Sequence, residues 1–395
     1  MVAGHLQEKN GLFYIVLSYV DENGKRKQPW MPTGLAVKGN KKRAEKMLFE
    51  TRSEFQIPKE SNRDENILFA DYMEEWLEIA KSRIKLTTYS SYEQSVKKVI
   101  APYFRTLNIK LKDLEARHIQ RFYIEKLAEV KANTVIKYHA NIYSALKYAV
   151  KTDRIPVNPA DKVDRPKKND FSPGFYDADE MERLFTAVKG HRLELPVMLG
   201  AFYGLRREEV VGLKWDAIDF ELGTLTIKHT VTTIRVGGKT LTIEQDSAKT
   251  KSSLRTLPLV AGFKEILQSL KQAQAVNKKI CGNAYNYNYD GYVLVNEIGE
   301  RMKPAYITGE FPKLLEKRGL RRIRYHDLRH SCASLLLANG VPMKQIQEWM
   351  GHSDFSTTAN IYAHLDYSSK ISSAQAMEKG LKLPENSVVI NRWEA

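Results

Sequence analysis

The stretch GHSDFSTTANIYAHLD, residues 351–366, sets Tyr362 ten residues after His352, behind a Ser/Thr-rich segment. A tyrosine packed in a helix needs no such polar setting, whereas one that must reach a phosphate does. Three stretches upstream carry residues of matching chemistry. YGLRREEVVGLKW places Arg206 two residues after Gly204, at the opening of a helical turn, where backbone N–H groups add positive potential. QDSAKTKSSLRTLPL carries Lys249 and Lys251 on or near a turn between strands. RYHDLRHSCASLLLANG puts His326 and Arg329 three apart, on one face of a helix. Taken singly, each has an ordinary reading: a solvated arginine, a basic turn, a surface His/Arg pair, a packed tyrosine, a capping histidine. Together they suit one task. A phosphodiester under attack gathers negative charge on its non-bridging oxygens, and arginine forks match those oxygens bidentately while staying charged. A histidine adds a hydrogen bond, a lysine protonates the leaving oxygen, and a tyrosine serves as nucleophile. His326 and His330 also stand at i and i+4, a spacing that serves zinc. No HExxH glutamate accompanies them, and Arg329 between them disfavours a cation, so no metal and no cofactor is expected.

The elements that must position these residues lie in the segment from Phe175 to Ala395, which reads as mixed, mainly α, with a small sheet. YDADEMERLFTAV opens a helix with an Asp177…Glu180 capping box. LPVMLGAFYGLRREEVVGLKW holds an apolar helix, a break at Gly204 and a second amphipathic turn. TLTIKHTVTTIRVGGKTLTIEQ alternates as strands around Gly237-Gly238, SSLRTLPLV is another strand, and the last 130 or so residues are mainly helical, Asn339-Gly340 ending one helix. The tail LPENSVVINRWEA is short and unassigned.

Upstream, GLFYIVLSYV followed by Asn23-Gly24, with QPWMPTGLAV and the helix Asn40 to Phe55, predicts a three-stranded sheet backed by one helix over residues 1–60. A polar linker follows from Ile57 to Asn66. Residues 66–165 repeat apolar residues at three- and four-residue steps and carry 18 Lys/Arg against 12 Asp/Glu, which predicts a basic four-helix domain, its second helix capped by Thr87 or Thr88. Asn158 to Gly174 reads as a second linker. The fold class is multidomain α+β: a β-sheet-plus-helix domain, a helical domain, and a mainly α domain with a small sheet at 175–395.

Bulk composition agrees with that partner chemistry. The chain has 395 residues, is 43% hydrophobic and carries a net charge of +15, which points to a polyanion, nucleic acid before membrane. No apolar run has the length of a transmembrane span and the N-terminus lacks a signal-peptide core, so a cytoplasmic location is expected. Cys281 and Cys332 form neither a CxxC pair nor a zinc spacing.

GLRREEVVGLKW, HDLRHSCASLLLANG and MGHSDFSTTANIYAHL resemble the three signature boxes of the tyrosine recombinase (phage integrase) family, in order, across Phe175 to about Leu365. The β-rich start resembles an arm-type DNA-binding domain and Ile67 to Val163 the core-binding domain, a layout similar to integrases of lambda-like phages and conjugative transposons. The resemblance implies Arg206, Lys249, His326, Arg329 and His352 as catalytic residues, Tyr362 as the nucleophile forming a 3′-phosphotyrosine, and Glu209 as a supporting acid. Lys251 and Lys239 are the alternatives to Lys249, and His330 and Tyr367 are read as structural. The Thr230 to Gln245 insertion exceeds the minimal fold. The resemblance further implies a homotetramer on DNA that integrates and excises a mobile element through a Holliday junction, with core-type and arm-type sites, an excisionase and a host DNA-bending protein as partners, in a bacterial nucleoid. A C-terminal segment after Tyr362 is expected to contact a neighbouring protomer. Expected DNA contacts are Lys25, Arg26 and Lys27 in the first domain and Arg83, Lys85, Thr87, Tyr89 and Lys137 in the second. Competing readings are a type IB topoisomerase, a non-catalytic DNA-binding regulator and a metal nuclease.

Overall fold

The apolar stretch LFYIVLSYV makes a strand that buries Phe13 and Ile15 through Ser18, and the rest of the N-terminal sheet is built around it. In the computed structural model, which describes residues 3–20, 26–55, 66–169, 174–246 and 254–352, the chain divides into two units, Met1–Asn169 and Asp170–Ala395. β2 (Leu12–Val20) is central, flanked by antiparallel β1 (Ala3–Lys9) and β4 (Trp30–Ala36), with the short β3 (Arg26–Lys27) pairing its end. Phe13, Ile15 and Leu17 are buried on the side of α1 (Lys41–Glu54), which supplies the buried Ala44. Among the described residues the sheet therefore has four strands, where three were expected. β1 is polar and reads weakly as a strand, yet Asn10-Gly11, both at positive φ (54° and 74°), forms the tight turn that folds it onto β2. The expected turn at Asn23-Gly24 and most of the first linker lie outside the described residues.

Four helical rods follow. α2 (Phe69–Lys81) buries Phe69, Tyr72, Met73, Trp76 and Leu77. α3 (Leu86–Ser95) runs through a five-residue π turn, Val96–Ile100, into α4 (Ala101–Leu107), and α5 (Ala116–Glu129) and α6 (Ala132–Lys151) complete the set. The core is aromatic: Phe104 meets Phe69 edge-on at 4.8 Å and Phe122 at 5.3 Å, and the Tyr72 hydroxyl donates to the Ala145 carbonyl at 2.8 Å. Two expectations fail here. Neither Thr87 nor Thr88 caps the second helix, because it starts one residue earlier, at Leu86, with Lys85 in the capping position and no side-chain cap. Tyr89 is 1% exposed and donates its hydroxyl to Glu78 at 2.9 Å, so it is a core residue and not a DNA contact. The start of the second linker also belongs to this unit: Asn158 is buried, caps the 3₁₀ turn Pro159–Lys162 and accepts from the Ala160 N–H at 3.0 Å.

In the second unit α7 (Ala178–Val188) has its Asp177/Glu180 capping box, and α8 (Glu194–Phe202) is the apolar helix that packs against α12 (Asp327–Ala338). α9 (Arg207–Gly212) leads into a three-stranded sheet, β5 (Ile218–Asp219), β6 (Thr224–Ile227) and β9 (Arg255–Pro258). The insertion is a separate two-stranded hairpin, β7 (His229–Val236) and β8 (Lys239–Asp246), turning at Gly237-Gly238. α10 (Ala261–Cys281), a stretch with two 3₁₀ turns, Gly282–Ala284 and Tyr287–Tyr289, and bridges Lys214↔Tyr292 and Val295↔Arg301, α11 (Pro304–Lys317) and α13 (Met343–Met350) complete the described part.

Gly204 joins α8 to α9 in a conformation only glycine adopts freely, φ +62°, and a Cβ there would lie 2.7 Å from the Met350 sulfur and 3.4 Å from the Cys332 sulfur. The break between helices is thus also the point where α12 and α13 close on the turn. Gly204→Ala is expected to destabilise the protein by about 1–3 kcal/mol through backbone strain and displacement of Met350. Thermal unfolding checks it; an unchanged Tm would show that the turn tolerates a side chain.

Candidate active site

The N-terminus of α9, the first turn of α12 and the C-terminal end of α13 meet at the Gly204 turn. Arg206 caps α9, in keeping with the helix break expected at Gly204. Glu209, in the next turn, reaches back to accept from the Arg206 backbone N–H at 2.9 Å and from its Nη1 at 2.7 Å. Arg206 Nη2 donates to the Gly351 carbonyl at 3.2 Å. Arg329, 2% exposed, donates Nη1 to the Gly204 carbonyl and Nη2 to the Met350 carbonyl. Two arginines from different helices therefore satisfy consecutive carbonyls at the end of α13, where the helix dipole is negative. Gly351 takes φ +65°, and the N–H groups of Gly351 and His352 return to Glu348 and Gln347, both at 3.1 Å. That turn delivers His352 to the arginines.

His326 stands at the start of α12, its ring edge-to-face with His330 at 5.3 Å. His330, expected from sequence to be structural, packs its ring against His326. Among the described residues no group of three or more His, Cys, Asp or Glu is placed to hold a metal ion. Arg207 is not simply solvated: its Nη1 donates to Thr308 of α11 at 2.5 Å. Lys249, Lys251, Tyr362 and Tyr367 lie outside the described residues, as does the whole segment after His352.

One participant escapes the motif reading. Arg255, 8% exposed on β9, grips Glu209 with both Nη atoms, at 3.2 and 2.8 Å. A signal for it is present: in LRTLPL the arginine keeps the inward phase of Leu257, and both are buried. A buried charge on a strand demands an opposite charge nearby.

Electrostatics follow from this crowding. Burial raises the Glu209 pKa, but Arg255, Arg206 and Arg329 outweigh it and hold the carboxyl at about 2. Burial and the same cationic surroundings press His352 down to about 3 and, with His326, His330 to about 4; His326 is also lowered, chiefly by burial. Burial lowers Arg329 to about 9, so it remains charged at neutral pH. The site therefore presents arginine cations and neutral imidazoles.

The base of the β7–β8 hairpin is tied down by side chains. His229 is hydrogen-bonded to Asp246 at 2.7 Å and to the Tyr292 hydroxyl at 2.9 Å; that hydroxyl donates to Glu244, which also accepts from Arg301 at 2.6 Å. Asp246 is three residues before Lys249.

Of the expected DNA contacts, Arg26, Lys27, Arg83, Lys85 and Lys137 are exposed, Thr87 is half-buried, and Lys25 lies outside the described residues. Arg83 stacks over Tyr148 at 5.0 Å beside the uncapped start of α3. On the sheet face turned away from α1, Tyr14 and Trp30 pack at 6.1 Å, Lys9 lies over Trp30 at 5.7 Å, and Arg26 donates to Ser18 at 3.0 Å.

Comparison with known proteins places these features. Residues 175–369 match the sequence profile of the phage integrase family, and residues 68–128 that of its N-terminal SAM-like domain. A XerC-like tyrosine recombinase of Caldanaerobacter subterraneus subsp. tengcongensis is 30% identical over 315 residues, covering 76% of this chain and 80% of that protein. The integrase of Staphylococcus phage L54a is 24% identical, covering 81% of this chain and 95% of its own. In fold, the chain is similar to the Tn1549 transposon integrase solved with a circular intermediate DNA (TM-score 0.65, 18% identity, 79% of this chain and 99% of that one). It is also similar to a lambda integrase dimer bound to a core site (TM-score 0.55, 19% identity, 90% and 93%).

The lowered values of Glu209, His330 and His352 mean that the unfolded chain binds these protons more readily than the folded one. Their contribution to stability is complete above about pH 6.5. For the histidines it is lost as pH falls from 6.5 toward 4 and 3, and for Glu209 from 4.5 toward 2. The Tm is expected to fall steadily between roughly pH 7 and pH 4, the range in which unfolded histidines and carboxylates take up protons. His352→Gln, which cannot titrate, should flatten the upper part of that fall; parallel curves for the two proteins would contradict the assignment.

Proposed function

The chain belongs to the phage integrase family of tyrosine recombinases, and from that premise we propose that Arg206, Lys249, His326, Arg329, His352 and Tyr362 cleave and rejoin DNA at specific sites without a metal. Its activity is DNA recombination, and DNA is its partner. The observation that supports this assignment best is the junction at Gly204, where Arg206 and Arg329 share the end of α13 that delivers His352.

In the reaction, the Tyr362 hydroxyl gives up its proton to water as its oxygen attacks the scissile phosphorus. The bond to the 5′ oxygen breaks, that oxygen takes a proton from Lys249, and a 3′-phosphotyrosine remains. Arg206 and Arg329 stabilise the charge that develops on the non-bridging oxygens, and His352 and His326, both neutral, donate hydrogen bonds. A 5′-hydroxyl from the partner strand then attacks the phosphotyrosine and regenerates the tyrosine. One phosphoester replaces another at each step, so no nucleotide hydrolysis is needed. Fixed, buried donors suit this chemistry, since they need no reorganisation as charge develops.

The same reading extends to the other domains and to assembly. Residues 66–165 are a core-binding domain, with Arg83, Lys85 and Lys137 exposed for phosphate contacts. Residues 1–60 are an arm-type domain, and the open sheet face bearing Lys9, Tyr14, Arg26 and Trp30 supplies cations and aromatic surface suited to a DNA groove. Residues 175–395 are the catalytic domain. Four protomers exchange strands in pairs through a Holliday junction, integrating and excising a mobile element. An excisionase and a host DNA-bending protein set the direction. Among the described residues no helix is long and apolar enough to cross a membrane, and a cytoplasmic, nucleoid-associated protein accords with the DNA partner.

Nicked duplex DNA from the ends of the element that carries the gene is the direct probe. With EDTA present, wild type is expected to give a detergent-stable protein–DNA band and Tyr362→Phe none, while both bind the duplex. A band with Tyr362→Phe would move the nucleophile elsewhere, and a band lost to EDTA would end the metal-free mechanism. Arg206→Ala should slow cleavage by roughly 10²–10³ and Lys249→Ala by roughly 10²–10⁴.

For the arm-type domain, Arg26→Ala and Lys27→Ala together should weaken arm-site binding and reduce the slope of log K against log salt by about 0.9 for each phosphate no longer neutralised. An unchanged slope would remove these residues from the DNA interface.

A further inference from the structure

Among the described residues, Glu209 is the acidic side chain that the site arginines share, and its four lone-pair positions are all in use. Oε1 accepts from Arg206 Nη1 and Arg255 Nη1; Oε2 accepts from the Arg206 backbone N–H and Arg255 Nη2. The carboxylate is 3% exposed and Arg255 8%. Arg206, by contrast, keeps 29% of its side chain open to solvent, and among the described residues it gives one hydrogen bond from each Nη atom. Three guanidiniums, Arg206, Arg255 and Arg329, thus surround one carboxylate, leaving two positive charges in excess.

We propose that Arg255 is a positioning residue for DNA cleavage: by occupying half of Glu209, it stops that carboxylate from capturing Arg206 and leaves the Arg206 fork charged and open toward the phosphate. Without Arg255, two lone-pair positions on Glu209 fall vacant. Arg206 already donates Nη1 to this carboxylate, and its Nη2 would leave the Gly351 carbonyl to complete a bidentate pair. The excess charge would drop from two to one at the same time. Arg206 would then be neutralised by its own supporting acid, and the end of α13 that carries His352 would be held by Arg329 alone. Arg255 lies six residues beyond Lys249 in the chain.

The inference rests on the recombinase reading, and the test separates the two. Single-turnover covalent-complex formation on the nicked duplex and binding to the intact duplex are measured for wild type, Arg255→Met, Arg255→Lys and the double variant Arg255→Met/Glu209→Gln. Thermal unfolding reports whether each variant is folded. Arg255→Met is expected to bind DNA as wild type does and to cleave about 100-fold more slowly. Arg255→Lys should stay within about tenfold of wild type, because one ammonium still engages the carboxylate. The double variant should regain at least about tenfold over Arg255→Met, because an uncharged amide in place of the carboxylate cannot capture Arg206 as an ion pair. A merely structural Arg255 would show its loss and any recovery in the unfolding temperature, since neutralising Glu209 relieves a buried unpaired charge, whereas a positioning Arg255 shows both in single-turnover cleavage by protein that is folded at the assay temperature. Wild-type cleavage by Arg255→Met, or a double variant no faster than Arg255→Met, would overturn the proposal. A wild-type chain that forms no covalent complex would overturn the recombinase reading and this proposal with it.

Discussion

Arg329 is a charged group almost wholly withdrawn from water, and most of the second unit is arranged around making that tolerable. Burying an ion costs several kcal/mol even after relaxation, unless hydrogen bonds and counter-charge return it. Here two main-chain carbonyls take the guanidinium directly, and Glu209 lies close enough to offset its charge. Each carbonyl is available for a structural reason. Gly204 has left the helix at positive φ, and Met350 ends one. The arginine is therefore the strut that joins three separate motifs.

The same constraint explains why small or special residues recur around the junction. Gly204 admits Met350 and Cys332 at close range, and Gly200 of α8 leaves room for the Tyr325 hydroxyl, which donates to the Pro196 carbonyl at 2.5 Å. Cys332, one turn beyond the Arg329 strut, packs its sulfur on the Phe202 carbonyl, and burial pushes its thiol up to about 12, which makes it a packing residue and not a reactive one. Farther out, the His229–Asp246–Tyr292–Glu244–Arg301 network adds hydrogen bonds at the base of the inserted hairpin to the packing of Val231, which β7 contributes to the hydrophobic core. A two-stranded ribbon has little core of its own, so it relies on both the shared core and the polar ties at its root.

Much of the second unit is legible in the chain itself. The capping box at Asp177, the break at Gly204, the hairpin at Gly237-Gly238 and the helix end at Asn339-Gly340 are local signals, written in residues that act on their own backbone. The misreadings have a common origin. β1 hides because its residues are mostly polar, and only its pairing with β2 makes it a strand. Thr87 has the residue type of a cap, although the helix has already begun at Leu86. Tyr89 resembles a surface contact because tyrosine suits both a core and an interface. Burial, which depends on what other helices bring, decides between them.

The sequence by itself determined which residues were available for chemistry, in what order, and on which kind of element, because motif spacing and helix capping are short-range properties. Only the tertiary structure decided which of them share a charge. That Arg255 completes Glu209 and that Arg329 is buried while Arg206 remains open both depend on strands and helices far apart in the chain being pressed together. Electrostatic energy falls off with distance in space and not along the sequence, so no spacing rule could have found them.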